Sequence, residues 1–469
     1  MSKRPLLLCA MLCGLSACTL GTDYQRPAAP VPAQWSEGKG SEAAPTPELR
    51  VLLPEPRLRA LIDLALANNR DLRIATARVA EARALYGVQL ADRLPNLDLS
   101  TGRAASRTPR DLSLTGAAAT AQRYDVSANL LSFELDFWGR VRSLNQAALA
   151  NYLASEEAQR AFRLSLIADV ANAYFGLREA EERLVLTRAT LDGRSEVAEL
   201  TDQRRRVGIA SDLDFLQASG AMEAARADLA NLERIRASAA NLLYQLVGVV
   251  PEKLPAGRAL VDQGVVFDFP IGLPAEVLLR RPDVLSAEQK LIAAHANIAA
   301  ARAAFLPRIT LTGGIGSASR ALSGLFEAGQ GAWSFQPLLR LPLFDAGRNE
   351  AGLDLAAARR EIAVAEYERT LQQAFREVND LLAARSQLAL QLAAQEAGEK
   401  LQLERLRLTD ARYKAGVSSY LEVLDAQRDY YNVQQGVVQT RRTLLASAAQ
   451  LYKALGGDQA VTGAAADKR

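Results

Sequence analysis

The sequence predicts a mainly α-helical chain made of two tandem ~210-residue repeats, each contributing two membrane-type β-strands to a shared barrel. Three observations support this. Short stretches recur in order at almost constant offset, long Pro-free stretches carry a seven-residue apolar spacing, and runs of strand length alternate apolar with polar residues.

Composition narrows the class first. The chain has 469 residues, 49% hydrophobic and 23% charged, which excludes a disordered chain. A single hydrophobic core stops growing near ~250–300 residues, so several domains or one extended body are expected. No internal stretch is long and apolar enough for a membrane helix, whereas alternating barrel strands escape that criterion. With 56 Lys+Arg against 53 Asp+Glu, no basic footprint for nucleic acid exists. One histidine, His295 in an Ala-rich helical pattern, argues against His-based catalysis and most zinc sites. There is no GxxxxGK[ST], no HExxH and no Cys pair in the predicted mature chain, so neither an enzyme nor a metal or cofactor is expected.

The N-terminus predicts export. Lys3 and Arg4 precede an apolar run from Leu6 to Leu15 of signal-peptide length. Leu15-Ser16-Ala17-Cys18 then resembles a bacterial lipoprotein box, with Cys18 as the lipid-bearing first mature residue. Cys9 and Cys13 lie in the removed segment, so Cys18 has no disulfide partner in its own chain. Thr19, rather than Asp, suggests the outer membrane. Residues 23–47 are rich in Pro, Ala and Ser and form an extended tether.

The repeat rests on three matches. Leu94-Pro95-Asn96-Leu97 parallels Leu306-Pro307-Arg308-Ile309 at offset 212. Phe137-Trp138-Gly139-Arg140 parallels Asp345-Ala346-Gly347-Arg348, and Val207-Gly208 parallels Ala415-Gly416, both at offset 208. Each copy opens with a helix, Asp71 to Arg93 or Asp283 to Phe305, ended by a Leu-Pro stop.

In the second copy Trp333, Phe335, Pro337, Leu339, Leu341 and Leu343 alternate with more polar neighbours, as do Ile309 and Leu311 with Thr310 and Thr312. In the first, Val126, Ala128 and Leu130 share a face. The phase then slips to Phe133, Leu135 and Phe137, which predicts a bulge. Trp138 and Trp333 fall where an aromatic girdle belongs, and Glu134 and Arg340 are expected on a wet lumen face. Alternation alone also fits a soluble hairpin with one buried face. Four strands cannot close a barrel, and lipid forbids open edges. Strands in a membrane therefore require several chains, and three supply twelve strands.

From Arg140 to Val207 the chain lacks Pro, and Val170, Leu177, Leu184, Leu191 and Ala198 recur every seven residues. Leu424, Tyr431, Val438, Leu445 and Tyr452 do the same later. This predicts supercoiled helices reaching ~100 Å, with Gly193 as a potential break.

Several stretches resemble the outer-membrane efflux protein (TolC-like) family in its lipoprotein branch. They are Gly21-Thr22-Asp23-Tyr24-Gln25-Arg26-Pro27, Arg280-Arg281-Pro282-Asp283-Val284 with Ala287-Glu288, and Gly331-Ala332-Trp333-Ser334. Leu341-Pro342-Leu343-Phe344-Asp345-Ala346-Gly347-Arg348, Leu421-Glu422-Val423-Leu424-Asp425-Ala426-Gln427 and Leu451-Tyr452-Lys453-Ala454-Leu455-Gly456-Gly457 complete the set. Thr22 departs from the Pro common in that branch. The resemblance implies a homotrimer whose 12-stranded β-barrel in outer-membrane lipid continues into a periplasmic α-helical coiled-coil barrel. It also implies a periplasmic adaptor (membrane fusion) protein and an inner-membrane RND-type pump as partners.

The expected organisation is a signal peptide at 1–17, a lipidated tether at 18–55, a first repeat at 56–247, an equatorial segment at 248–273, a second repeat at 274–457 and a tail at 458–469. In the first repeat, strands are expected near 97–107 and 124–137 and long helices near 140–206 and 211–247. In the second, strands are expected near 308–318 and 332–344 and helices near 348–414 and 419–456.

Gly208 and Gly416 predict helix-ending turns, after which Ser211 and Ser419 can cap the next helix. Ser211 with Asp214 and Ser419 with Glu422 fit capping boxes, a purely structural role for the two acids. The resemblance adds a gate at these tips. Glu422 and Asp425 share a helix face and would form acidic rings in a trimer, with Leu421 as an apolar constriction. Asp214 and Tyr413 match the family's latch positions. The family's Arg after the turn glycine is here Ser418, so the latch would use Arg412 or Arg428. The tip turns at Gly208, Ser211, Gly416 and Ser419 are where an adaptor would dock. The expected function is a duct for small toxic compounds. A type I secretion duct and a poreless periplasmic lipoprotein scaffold are the alternatives; only three Met disfavours soft-metal export.

Overall fold

The computed structural model describes residues 23–32, 34–35, 48–114, 116–251, 253–266 and 277–457. The lipidation residue Cys18, the signal segment and the tail from residue 458 lie outside the described residues.

Both repeats follow the same order. In the first, α1 (Pro56–Asn68) and α2 (Arg70–Ala91) precede strands β1 (Leu97–Thr108) and β2 (Ala119–Leu135). Two long helices follow, α3 (Arg140–Arg206) and α4 (Asp212–Val247). The second has α5 (Pro282–Ala303), β3 (Arg308–Ser319), β4 (Gly331–Arg340), α6 (Arg348–Lys414) and α7 (Tyr420–Ala454). α3 and α6 are each 67 residues, and α3 runs unbroken through Gly193. Three glycine pairs 208 residues apart hold left-handed backbone: Gly139 and Gly347, Gly208 and Gly416, Gly248 and Gly456. Two of the three pairs were visible as motifs; the third closes the helical hairpins. Among the described residues no helix is long and apolar enough to cross a membrane.

The chain divides into two compact units. Of the described residues, the first holds 23–28, Arg78–Glu156 and Ser286–Tyr367. The second holds the described residues of Ala29–Ala77 and Glu157–Leu285 and the chain from Glu368 to Gly457.

The first unit contains a four-stranded antiparallel sheet in the order β1-β2-β3-β4. Its register sorts side chains onto two faces. Leu99 pairs with Ala128, Ala128 with Ile315 and Ile315 with Trp333, all on one face. Leu97, Leu130, Phe133, Leu311, Phe335 and Leu339 join them. The other face carries Ser100, Ser127, Asn129, Thr312, Ser334, Gln336 and Arg340. On the apolar face Leu99 is 81% and Trp333 79% exposed. Among the described residues β1 bonds only to β2 and β4 only to β3. The register shifts between Leu130 and Phe133, with Ser132 at φ 49°, which is the bulge the phase slip announced.

Strand ends depart from expectation. β2 starts at Ala119 rather than near 124, because the β1–β2 ladder continues past the end of β3 to the Thr108–Ala119 pair. Ala119-Thr120-Ala121-Gln122-Arg123 has no apolar alternation to reveal it. β4 stops at Arg340, before Pro342, which has no N–H to donate.

Two side chains expected at the membrane instead build the strand–helix joint. The Trp138 indole N–H donates to the Pro307 carbonyl (2.7 Å) and the ring is half-buried, so it does not join a lipid-facing girdle. Glu134 accepts two bonds from Arg140 (2.8 and 2.6 Å) and pairs with Arg308 (2.6 Å), rather than standing solvated in a lumen. Its side chain is 10% exposed. Asp136 then accepts from the Val141 and Arg142 amides and starts α3, while Asp345 accepts from Gly347 and Asn349 and starts α6. Ala147, Ala150, Ala293 and Ala296 let α3 and α5 approach closely in this unit.

In the second unit most of the seven-residue series is buried, while Leu191, Leu424 and Tyr431 are partly exposed. Val170, Leu177, Leu184 and Ala198 of α3 and Val438, Leu445 and Tyr452 of α7 are each below a tenth exposed. Arg281 is buried at the start of α5. It binds Asp283 (2.7 Å), Glu377 (2.8 Å) and the Ala454 carbonyl (2.8 Å), joining α5, α6 and the end of α7.

Candidate gate at the helix turns

Both long hairpins turn by the same device. Gly208 N–H donates to Arg205 O and Ile209 N–H to Arg204 O; Gly416 N–H donates to Tyr413 O and Val417 N–H to Arg412 O. These paired bonds, with a left-handed glycine, satisfy the last carbonyls of α3 and α6.

The following caps differ. Ser211 Oγ accepts from Asp214 N–H (3.1 Å) and Asp214 Oδ2 accepts from Ser211 N–H (3.2 Å), a complete capping box. Ser419 caps α7 without any side-chain bond, and Glu422 N–H goes to the Ser419 carbonyl instead. The expected Ser419–Glu422 box is therefore not formed: a backbone turn takes the amide that the hydroxyl would have served. Glu422 is exposed and forms no ion pair among the described residues. Leu421 beside it is 50% exposed.

Asp425 differs from Glu422, because Arg428 pairs with it three residues on (3.0 Å). Arg428 also reaches Asp429 (3.2 Å), which Arg405 of α6 holds at 2.7 Å. The Arg405 hydrogen bond, helped by Arg428, keeps the Asp429 carboxyl below its ordinary range. The acidic face is thus partly neutralised within the chain.

Tyr413 joins the two hairpins. Its hydroxyl accepts from Arg204 (3.5 Å), and its ring lies 5.4 Å from that of Tyr420. Tyr420 is packed with Ala198, Ala218 and Val423, and burial, then the neighbouring Tyr413, pushes its phenol up to about 12. Arg412 is exposed and makes no ion pair among the described residues. Arg205 braces the first turn, binding Asp202 (2.7 Å) and Asp212 (3.4 Å) and covering the Phe215 ring at 4.7 Å.

The structure brings Leu421, Glu422, Asp425 and Arg428 onto the first turns of one helix and sets Tyr413 against it. Asp214 spends its contacts on Ser211. Sequence reasoning did not find Arg204, Arg405, Asp429 or Tyr420. Their partners lie 24 to 209 residues away or across a turn, a distance that no local spacing encodes.

Two long helical hairpins, a sheet with one exposed apolar face and charged hairpin tips are the features expected of a bacterial outer-membrane channel. Sequence comparison agrees: the model of the outer membrane efflux protein family matches residues 61–249 and 273–457. The solvent efflux pump outer membrane protein SrpC of Pseudomonas putida is 44% identical over 457 residues, covering 96% of this chain and 97% of SrpC. Outer membrane protein OprJ of Pseudomonas aeruginosa is 43% identical over 452 residues, 94% of this chain and 93% of OprJ. Among solved structures, the open-state MtrE outer membrane channel of Neisseria gonorrhoeae superposes with a TM-score of 0.85 at 40% identity, covering 94% of this chain and 98% of MtrE. A membrane protein from Pseudomonas aeruginosa gives 0.87 at 42% identity, covering 94% and 100%. The chain belongs to the outer membrane efflux protein family. It is an outer-membrane channel component of a tripartite efflux system and extends from the outer membrane into the periplasm.

Proposed function

We propose that three copies of this chain close one 12-stranded barrel in the outer membrane, and that their hairpins form a helical duct gated at the tips by Leu421, Glu422 and Asp425. The observation that carries this is the sheet. One face is apolar across all four strands, the other is polar, and among the described residues β1 and β4 have no outer partner. In lipid the apolar face is solvated by acyl chains, but unpaired strand edges are not tolerated. Neighbouring copies supply the missing edges, and the polar face becomes the lumen.

At the tips, Glu422 contributes one uncompensated charge per copy. Like charges ~6 Å apart repel by ~3 kcal/mol at an effective dielectric of 20, so such a ring favours a bound cation or partial protonation. Arg428 lowers the contribution of Asp425. The Arg204–Tyr413 bond ties the two hairpins of a copy, while Asp214 and Arg412 complete latches between copies. The turns at Gly208, Ser211, Gly416 and Ser419 meet the periplasmic adaptor, which couples the duct to an inner-membrane RND-type pump. Untwisting of the hairpins opens the duct. Relatives named for solvent and toluene efflux favour small apolar organic compounds as cargo over a secreted polypeptide. A lipid on Cys18 adds a second hold on the membrane.

Planar-bilayer recording of purified protein tests the proposal. Stepwise cation-preferring conductance is expected, and Glu422→Gln should reduce that preference. A protein that inserts without conducting would overturn it.

A further inference from the structure

The β1–β2 hairpin extends its apolar face into a basic one. Leu97, Leu99 and Thr101 are followed on the same face by Arg103 and Arg107, which pair with Tyr124 and Thr120. Both arginines are exposed, and neither forms an ion pair among the described residues. Arg103 lies over the Tyr124 ring, 5.6 Å from its centroid, which orients the guanidinium without neutralising it. No carboxylate shares this face of the hairpin. Asp98 and Asp125 belong to the opposite face, where Asp125 pairs with Arg123 (3.6 Å), and Asp111 sits in the turn beyond.

The height of these groups follows from the register. Leu99 shares a rung with Trp333, and one rung further out Val126, paired with Thr101, is the last branched aliphatic side chain of this face. Arg103 is two residues past Thr101, ~7 Å along the strand and ~5 Å along the membrane normal at a tilt near 45°. That places it past the hydrocarbon edge, at headgroup level. The hairpin turn is at the end of the strands opposite their helix connections, hence on the outer side. Guanidinium groups bind phosphate through paired N–H donors, and two unpaired ones on a lipid-facing surface need an anionic counterpart there.

We propose that Arg103 and Arg107 form a docking site for the phosphate groups of the outer-leaflet glycolipid, on the lipid-facing side of the barrel. This rests on the barrel reading above. Each copy carries one such site, so the barrel is ringed by bound lipid on its outer rim.

The test titrates the purified full-length protein with bisphosphorylated lipid A and with its dephosphorylated form, reading bound lipid by native mass spectrometry. The phosphorylated lipid should bind more tightly. The combined Arg103→Gln and Arg107→Gln variant should lose about fivefold per arginine, whereas Arg123→Gln, on the other face, should change nothing. Equal binding of the two lipids by the unsubstituted protein, or an equal loss in Arg123→Gln, would overturn the proposal. Conductance of the same preparations separates the two levels. Normal pores with no phosphate preference remove only the lipid site, and absence of pores removes the barrel reading and this site with it.

Discussion

At the residue scale, the two acids proposed for the gate are not equivalent. Glu422 is exposed and unpaired among the described residues, whereas Asp425 is held by Arg428. Glu422→Gln is therefore expected to lower cation preference more than Asp425→Asn, measured as reversal potential in a salt gradient. Equal effects would mean that Arg428 does not shield Asp425 in the assembled duct. Arg281 presents a different case, because it is buried and its loss orphans the Ala454 carbonyl. Arg281→Ala should cost roughly 1–3 kcal/mol, read as an earlier denaturation midpoint. Burial alone would raise the Asp283 carboxyl, but Arg281 outweighs it and holds the group below its ordinary range. A depressed carboxylate adds stability above its unfolded value, ~3.9, and loses it as pH falls through the folded value. Asp283→Asn should therefore weaken the protein at neutral pH and flatten its acid-unfolding curve below about pH 4. Gly316 has no room for a side chain, since an added Cβ would lie 2.0 Å from the Val126 carbonyl. Gly316→Ala should cost about 1–3 kcal/mol of strand pairing, seen as a lower melting temperature.

At the element scale, the two hairpins are tied near their tips by Tyr413, Tyr420 and Arg204. Tyr413→Phe removes the hydroxyl that Arg204 reaches and keeps the ring that packs on Tyr420. It should leave folding intact and raise resting conductance, while Tyr420→Ala should also lower the melting temperature. A Tyr413→Phe channel as tightly closed as its parent would remove the tie from the gate. Much of this level was legible in the sequence. The seven-residue series in α3 and α7, the paired turn glycines and the phase slip at Ser132 are periodic or local signals. Other features were not legible. Ala119–Arg123 is strand because the β1 ladder extends over it, and Ser419 leaves Glu422 free because a backbone bond takes the amide. Both outcomes depend on competition for hydrogen bonds that composition does not reveal.

At the scale of the whole molecule, β1 and β4 keep open edges among the described residues. Protein extracted in mild detergent is expected to sediment as three chains. A folded single chain, with its sheet edges open in the detergent, would contradict the shared barrel.

The sequence by itself determined the repeat, the helical hairpins, the alternating strands and the family, because each is written in spacing along one chain. Which polar groups meet was decided only by the tertiary structure. Glu134 became a joint with Arg308, Trp138 pinned Pro307, Arg405 of α6 took Asp429 of α7, and Arg204 reached Tyr413. The physical reason is range. Helix and strand periodicity arises from neighbours a few residues apart, whereas an ion pair or a shared face depends on where folding brings distant backbone together.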